Sequence, residues 1–139
     1  PHVQDARTVF THNPWGEYGN EDHVRLYGVL AHLQQTYGFE LYFPAYVSAL
    51  SFEPMCRETN GRNLVWFTAQ PPQTLCKKIK DLYLKHECWT WSDDHRWLTN
   101  WQWPEAEYFM RFDRPLEKDA LRPCPLPLLY LDMRCKNEA

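Results

Sequence analysis

The chain has few of the features that would assign it to a class at once. No apolar run reaches membrane-spanning length, and the first residues, PHVQDARTVF, carry no signal-peptide pattern. The net charge is -3, so the basic excess typical of nucleic-acid-binding domains is missing. We expect the chain to be a segment of a longer protein, so the missing targeting signals exclude little.

Cysteine is present, but it is not arranged as a disulfide framework. The five cysteines are an odd number, they are irregularly spaced, and they include no C-x-x-C pair. Small secreted domains usually carry an even and denser set. We therefore predict reduced thiols in an intracellular protein, which we expect in the cytoplasm with an additional nuclear pool.

Short motifs of common enzyme classes are also missing, since there is no P-loop, G-x-G-x-x-G, H-E-x-x-H or G-x-S-x-G pattern. Metal-ligating residue types do occur from His86 to His95. They are split between a predicted helix end and a predicted hairpin turn, whereas zinc sites need close pairs or three converging ligands. We expect no catalytic residue, no metal site and no cofactor.

Aromatic residues, in contrast, are abundant. The 139 residues are 44% hydrophobic and 16% aromatic and include eleven prolines, which is typical of one compact, loop-rich domain. Five of the seven tryptophans lie in CWTWSDDHRWLTNWQW, from Cys88 to Trp103. Two explanations are open: a β-hairpin core with an acidic turn, or a stacking surface for nucleic-acid bases. Alternating tryptophans on strands favour the hairpin core.

The first half of the chain predicts one clear helix. Asn20 is a good N-cap, apolar residues follow at helical spacing from Val24 to Tyr37, and Gly38 ends the helix. Pro44 makes the segment from Phe39 to Phe52 extended, or an edge strand. A loop from Glu53 to Asn63 then precedes a buried strand, LVWFTA.

The second half predicts a helix capped by Thr74, then three strands, the last being EYFMRF. The fold class is therefore α+β, with an N-terminal arm and helices followed by an antiparallel sheet. We predict an extended arm at 1–19, a body at 20–115 and a proline-rich strap at 116–139 that packs on the body.

The segment LVWFTAQPPQTLCKKIKDLYLKHECW resembles the opening of the NOT box, a C-terminal domain of the two-type and three/five-type subunits of the Ccr–Not mRNA deadenylase complex. The positions that carry the resemblance are Leu64, Pro72, Leu82-Tyr83 and Trp89, followed by Trp97-Leu98-Thr99 and the strand Tyr108 to Asp113. Upstream, FTHNPW and LYFPAYV are similar to two segments of the two-type subunit. The resemblance spans about residues 10–115.

The chain departs from the family pattern in three places. The stretch from Trp89 to Asp93 is acidic where the family is basic, a glycine turn before the last strand is missing, and no tryptophan follows Asp113. RNA contacts ascribed to the family's basic strand are therefore not carried over.

The resemblance implies a bent antiparallel sheet, similar to an incomplete Sm-like barrel, in a non-enzymatic scaffold and dimerisation module. Such a module of the Ccr–Not complex supports mRNA deadenylation, mRNA decay and translational repression. The implied partners are a sister NOT-box subunit or a second copy, and the large scaffold subunit. The implied scaffold-binding arm residues are Phe10, Pro14 and Trp15.

The first helix is where we expect the partner, because its apolar side is broader than one helix can bury on a small sheet. The predicted interface residues are Val24, Leu26, Tyr27, Leu30, Leu33 and Tyr37. A simple core helix is the alternative.

A second function stays open. A small single-stranded RNA-binding domain would use tryptophan rings beside basic side chains. Its predicted contacts are Lys77, Lys78, Lys85, Trp91 and Trp101. Direct RNA binding would be weak, and no contact with a membrane is expected.

Overall fold

The structure is a computed structural model that describes residues 2–87, 105–113 and 127–131. Within these ranges the chain forms four helices and six strands, which confirms the predicted α+β class. After a 3-10 turn at Val3–Asp5, the elements in chain order are β1 (Thr8–Phe10), α1 (Gly16–Gly19), α2 (Glu21–Tyr37), β2 (Glu40–Pro44), β3 (Tyr46–Ser48), α3 (Phe52–Thr59), β4 (Leu64–Ala69), α4 (Gln73–Lys85), β5 (Glu107–Phe112) and β6 (Leu129–Leu131).

The chain divides into two compact units. The first comprises Pro1–Thr68 and Tyr108–Leu131, and the second comprises Ala69–Glu107 and Asp132–Ala139. Residues 1–19 thus belong to the same unit as α2 and β2, while α4 belongs to the second unit. In the part of the chain that the structure describes, no helix combines the length and the apolar character needed to cross a bilayer.

The larger sheet has the strand order β1-β2-β5-β4. Strand β1 runs parallel to β2, with Val9 opposite Leu41, whereas β2 runs antiparallel to β5, with Phe43 opposite Met110. The smaller sheet pairs β3 with β6 in parallel. Among the described strands the sheet is open and mixed, so its incomplete form is confirmed. The parallel pairs were not predicted, because periodicity shows that a segment is a strand but not which strand it pairs with.

A direct step connects the two sheets at Ala45. Its backbone N–H donates to the carbonyl of Tyr108, and its carbonyl accepts from the N–H of Leu129. In the larger sheet β2 lies between β1 and β5, so the edge-strand alternative is wrong for β2, whereas β3 of the same predicted segment belongs to a two-stranded sheet. Pro44 is tolerated there because it is the last residue of β2, where its missing N–H removes little of the ladder.

The core of the first unit is aromatic and lies on one face of the larger sheet. It contains buried residues of β2, β3, α3, β4 and β5, together with one residue between β2 and β3 and one residue of the N-terminal arm: Trp15, Phe43, Ala45, Val47, Met55, Leu64 and Met110. The ring of Phe43 is contacted edge-on by Trp15 and Tyr27, with centroids 5.5 and 5.7 Å away. The buried indole N–H of Trp15 donates to the carbonyl of Tyr46 at 2.6 Å, so burial leaves no orphaned donor.

The first predicted helix is confirmed, including both of its caps. The side chain of Asn20 accepts from the N–H groups of Asp22 and His23, and Gly38 adopts the left-handed conformation that ends the helix. The second helix begins at Gln73 with no side-chain cap, so the predicted capping by Thr74 is wrong.

Two helices were missed. The short helix α1 lies in the predicted extended arm, and the segment predicted as a loop contains α3, where Met55 is buried. Pro54 is compatible with α3 because it lies in the first turn, where backbone N–H groups have no intrahelical partner to lose. The predicted strand LVWFTA is confirmed as β4, although Trp66 and Phe67 are exposed rather than buried.

Candidate functional site

Helix α2 carries a row of apolar side chains, of which three are exposed and two are half-buried. We call Leu26, Val29, Leu30, Leu33 and Tyr37 the α2 stripe. Their spacing of three, four, seven and eleven residues from Leu26 places them along one side of the helix. Val29 is 57% exposed, Leu26 46% and Tyr37 45%, and no residue anywhere in α2 is buried.

A different side of α2 packs against the rest of the first unit. Tyr27 packs on Phe43 there, and the side-chain amide of Gln34 donates to the carbonyl of Phe39 at 2.9 Å. Partial burial raises the pKa of Tyr27 to about 12, because the ionised phenolate would lose water. Since this inner side makes the attachment, the stripe is left for another contact.

The surroundings of the α2 stripe carry little charge. At the start of the helix Arg25 pairs with Glu21 at 3.2 Å and with Asp22 at 3.0 Å, and all three groups are exposed. Further along, the positions beside the stripe are Gly28, His32 and Thr36. An approaching apolar surface would therefore not have to bury an unpaired carboxylate or ammonium group.

A second uncovered surface lies on the outer side of the larger sheet. Four aromatic rings, one from each strand, form what we call the aromatic face: Phe10, Tyr42, Phe67 and Phe109. Neighbouring centroids are 5.2 to 6.3 Å apart. Phe10 is 55% exposed and Phe67 is 38% exposed. Rings that touch one another yet reach solvent offer a flat apolar surface.

Arg111 is the cation beside the aromatic face. Its guanidinium lies over the ring of Tyr42 and its Nε donates to the Tyr42 hydroxyl at 3.2 Å. The same guanidinium is 3.9 Å from the carboxylate of Glu40 and 3.6 Å from that of Asp113. These two acids balance its charge, so the face offers little field to attract phosphate.

The third feature is a cluster of titratable side chains near the N-terminus, at His12, Glu17 and His23. The Nδ1 atom of His12 is 3.3 Å from Oε1 of Glu17, and the Nδ1 atom of His23 is 2.6 Å from Oε2. The two imidazole rings are stacked, with centroids 3.5 Å apart. In the described part of the chain, this is the group whose atoms are placed to hold a metal ion.

Backbone geometry around α1 positions this cluster. Glu17 has φ 48° and ψ -66°, in the left-handed region that non-glycine residues rarely occupy. Asn13 and Glu17 brace each other: the Glu17 N–H donates to Asn13 Oδ1 at 2.7 Å, and the Asn13 N–H donates to Glu17 Oε1 at 2.9 Å. Ser51 holds the turn from the other side by donating to the carbonyl of Glu17.

The structure separates the predicted interface residues of α2. Val24 and two members of the α2 stripe, Leu26 and Tyr37, are exposed. Leu30 and Leu33 are half-buried within the stripe. Tyr27 packs against the core instead, because it lies on the inner side of the helix.

The predicted arm residues are also separated. Trp15 is a core residue and Pro14 is buried, so neither has surface to offer a scaffold subunit in this structure. Phe10 is exposed and belongs to the aromatic face. For the predicted RNA site, Lys77, Lys78 and Lys85 are exposed on α4. The other two predicted contacts, Trp91 and Trp101, lie outside the described residues, as does the predicted hairpin that holds them.

Sequence reasoning missed three features. Val29 has the spacing of the stripe and could have been found from it. The aromatic face could not, because it depends on strand order. The cluster of His12, Glu17 and His23 has no motif spacing and depends on the turn at Gly16–Gly19.

We compared the chain with family models, curated proteins and solved structures. No family model, no curated protein and no solved structure matches the chain. The resemblance to the NOT box therefore stays a prediction from sequence motifs.

Proposed function

We propose that this chain is a non-enzymatic interaction module that binds a helix of a protein partner along the α2 stripe. The observation that carries the proposal is the exposure of Leu26, Val29 and Tyr37 along one side of a helix of 17 residues. Rows at this spacing pair with similar rows on another helix by interlocking side chains. An isolated apolar residue at the surface would need no explanation, whereas an aligned row does.

Magnitudes favour a partner that covers the whole stripe. Fully burying one large apolar side chain contributes about 1.5–3 kcal/mol, while association costs about 4–15 kcal/mol in lost freedom. Two or three side chains would contribute about 3–9 kcal/mol in all, which offsets only the lower part of that cost. All five side chains of the stripe, packed against an equal number from a partner helix, could offset it in full.

The fuller form of the proposal follows from the sequence motifs. It places the module in the Ccr–Not complex, where it supports mRNA deadenylation, mRNA decay and translational repression. The partner of the α2 stripe is then a sister NOT-box subunit or a second copy of this chain. The large scaffold subunit is a further partner in this proposal.

Sedimentation of the chain, alone and with a three/five-type NOT-box partner, tests the proposal. We expect a dimer or a heterodimer that dissociates when Leu26 and Val29 are both replaced by Glu. Both side chains are exposed, so the variant should fold. The control is Gln35→Glu, which adds one negative charge at an exposed position away from the stripe. A strict monomer that also ignores the NOT-box partner would contradict the proposal.

The aromatic face favours a second candidate, binding of single-stranded RNA. Stacking of one base on an aromatic ring contributes about 1–3 kcal/mol, and Phe10 and Phe67 are exposed enough to stack. The charge balance around Arg111 makes this the weaker candidate. Anisotropy of a labelled uridine oligonucleotide near 50 mM salt tests it, with Phe10→Ala/Phe67→Ala as the variant and Tyr130→Ala, an exposed aromatic on the other sheet, as the control.

A further inference from the structure

We propose that His12, Glu17 and His23 form a binding site for a divalent transition-metal ion of the zinc class. The site does not depend on the proposed partner of the α2 stripe. Its three ligand atoms are Nδ1 of His12, Nδ1 of His23 and a carboxylate oxygen of Glu17. One ring nitrogen of each histidine and one carboxylate oxygen of Glu17 lie within 4.8 Å of one another.

The donor set selects the kind of ion. Two imidazole nitrogens with one carboxylate oxygen suit zinc and its first-row neighbours, whereas magnesium and calcium prefer oxygen ligands throughout. Zinc sites with three protein ligands keep a fourth position for water. The proposed ligand is therefore Zn²⁺ or a similar ion with at least one solvent molecule.

The distances fit with a small adjustment. Tetrahedral zinc with bonds of about 2.0–2.1 Å places neighbouring ligand atoms about 3.3 Å apart. The His12–Glu17 separation is 3.3 Å. That distance is to Oε1 of Glu17, whereas His23 lies 2.6 Å from Oε2. The carboxylate must therefore bind through both oxygens or turn one of them to the ion, and the shorter distance must open by less than about 1 Å. The stacked rings must also tilt so that both Nδ1 atoms point at one ion.

A cation at this place would also compensate a buried charge. The Glu17 side chain is only 7% exposed, and a buried carboxylate needs a charged or hydrogen-bonding partner. A divalent cation held by the two imidazoles supplies that charge directly beside the carboxylate.

The surroundings resemble a prepared ligand shell. Outer hydrogen bonds that orient ligands are a regular part of metal sites, and Asn13 supplies one by donating its N–H to Oε1 of Glu17. Glu17 is held in a strained backbone conformation, which proteins retain mainly where function requires it. His12 remains 41% exposed and His23 21% exposed, which leaves a path for the ion from solvent.

Metal binding would have a structural consequence. His12 and Glu17 belong to the arm and to α1, whereas His23 lies in the first turn of α2. One ion would therefore fasten the N-terminal arm to the beginning of α2.

Calorimetric titration of the 139-residue chain with ZnCl₂ tests the proposal. We expect one site, with binding weakened at least about 10- to 100-fold in His12→Ala, in His23→Ala and in Glu17→Gln. The Gln variant retains an acceptor for the Asn13 N–H, so its fold should be preserved. The control is His32→Ala, an exposed histidine on α2 outside the cluster, which should bind like the parent.

A second measurement avoids variants that fail to fold. In the parent chain, nitrogen NMR of the histidine rings should show Zn²⁺ bound at Nδ1 of two histidines, and Co²⁺ should give the visible bands of a four-coordinate site. Zn²⁺ binding that is unchanged in the His12→Ala/His23→Ala variant, binding that is lost in His32→Ala instead, or no binding by the parent would each overturn the proposal.

Discussion

The indole nitrogen of Trp15 donates to the backbone carbonyl of Tyr46 across 2.6 Å, although 31 residues separate the two along the chain. This bond fixes the N-terminal arm to the step between the two sheets. Trp15 also contacts Phe43 edge-on in the core. The arm is therefore part of the folded unit.

Shortening this side chain should destabilise the fold. We expect Trp15→Phe to lower the free energy of unfolding by about 1.5–3 kcal/mol, because it loses a hydrogen bond and leaves a void. Urea denaturation followed by circular dichroism measures the change. The exposed Tyr130→Phe should shift it by less than about 0.5 kcal/mol. Equal midpoints for the two variants would show that Trp15 is not a core residue.

Replacing Asn13 should destabilise the fold about as much as replacing Trp15, although Asn13 is polar. It is fully buried; its Nδ2 donates to the carbonyls of Pro44 and Tyr46, and its Oδ1 accepts from Glu17. Replacing it with Ala leaves buried polar groups without partners, at about 1–3 kcal/mol each. We expect Asn13→Ala to lower the free energy of unfolding, measured by thermal unfolding, by at least about 2 kcal/mol. The exposed Gln35→Ala should change it little. A parent-like melting temperature for Asn13→Ala would contradict the network.

Two glycines of α2 should respond in opposite directions. Gly28 is inside the helix and an added Cβ meets nothing within 4 Å, so Gly28→Ala should stabilise by about 0.5–1 kcal/mol. Gly38 has φ 75° at the helix end, so Gly38→Ala should destabilise by about 1 kcal/mol. Comparing both melting temperatures with the parent tests the helix and its end together. A destabilised Gly28→Ala would mean that the helix surface at this position is covered by a partner or by another part of the chain.

Alkaline pH should reveal the burial of Tyr27. Its folded-state pKa of about 12 exceeds the ordinary value of 10.0, so above pH 10 the unfolded chain releases a proton that the folded chain retains. The protonated phenol of Tyr27 therefore makes its full contribution to the free energy of unfolding below pH 10, and this contribution is lost as the pH rises toward 12. The melting temperature should therefore fall more steeply between pH 9 and 11 for the parent than for Tyr27→Phe. Parallel curves for the two proteins would place Tyr27 in solvent.

Local signals predicted the elements well. Asn20 and Gly38 marked both ends of α2, and the strand from Glu107 to Phe112 was predicted with its observed bounds. These features depend on neighbouring residues in the chain. Helix α3 was missed although Pro54 does not oppose it, because a proline breaks a helix in its interior and not in its first turn.

The candidate sites were harder to predict because they depend on contacts between distant segments. The aromatic face exists because four strands lie in the order β1-β2-β5-β4, which no local pattern specifies. The cluster at His12 and His23 needs the left-handed turn at Glu17, a conformation that sequence propensity disfavours. The α2 stripe was visible as periodicity, but only the structure shows that its inner neighbour Tyr27 makes the attachment.

The pairing of β3 with β6 bears on how the protein emerges from the ribosome. Tyr46 lies opposite Leu129, so the smaller sheet can form only after the ribosome has passed residue 131. Until then β3 presents an unpaired edge, which is a hazard for aggregation. We expect nascent chains stalled after residue 113 to be degraded by protease faster than chains that include residues 129–131, because the former lack the strand that covers this edge.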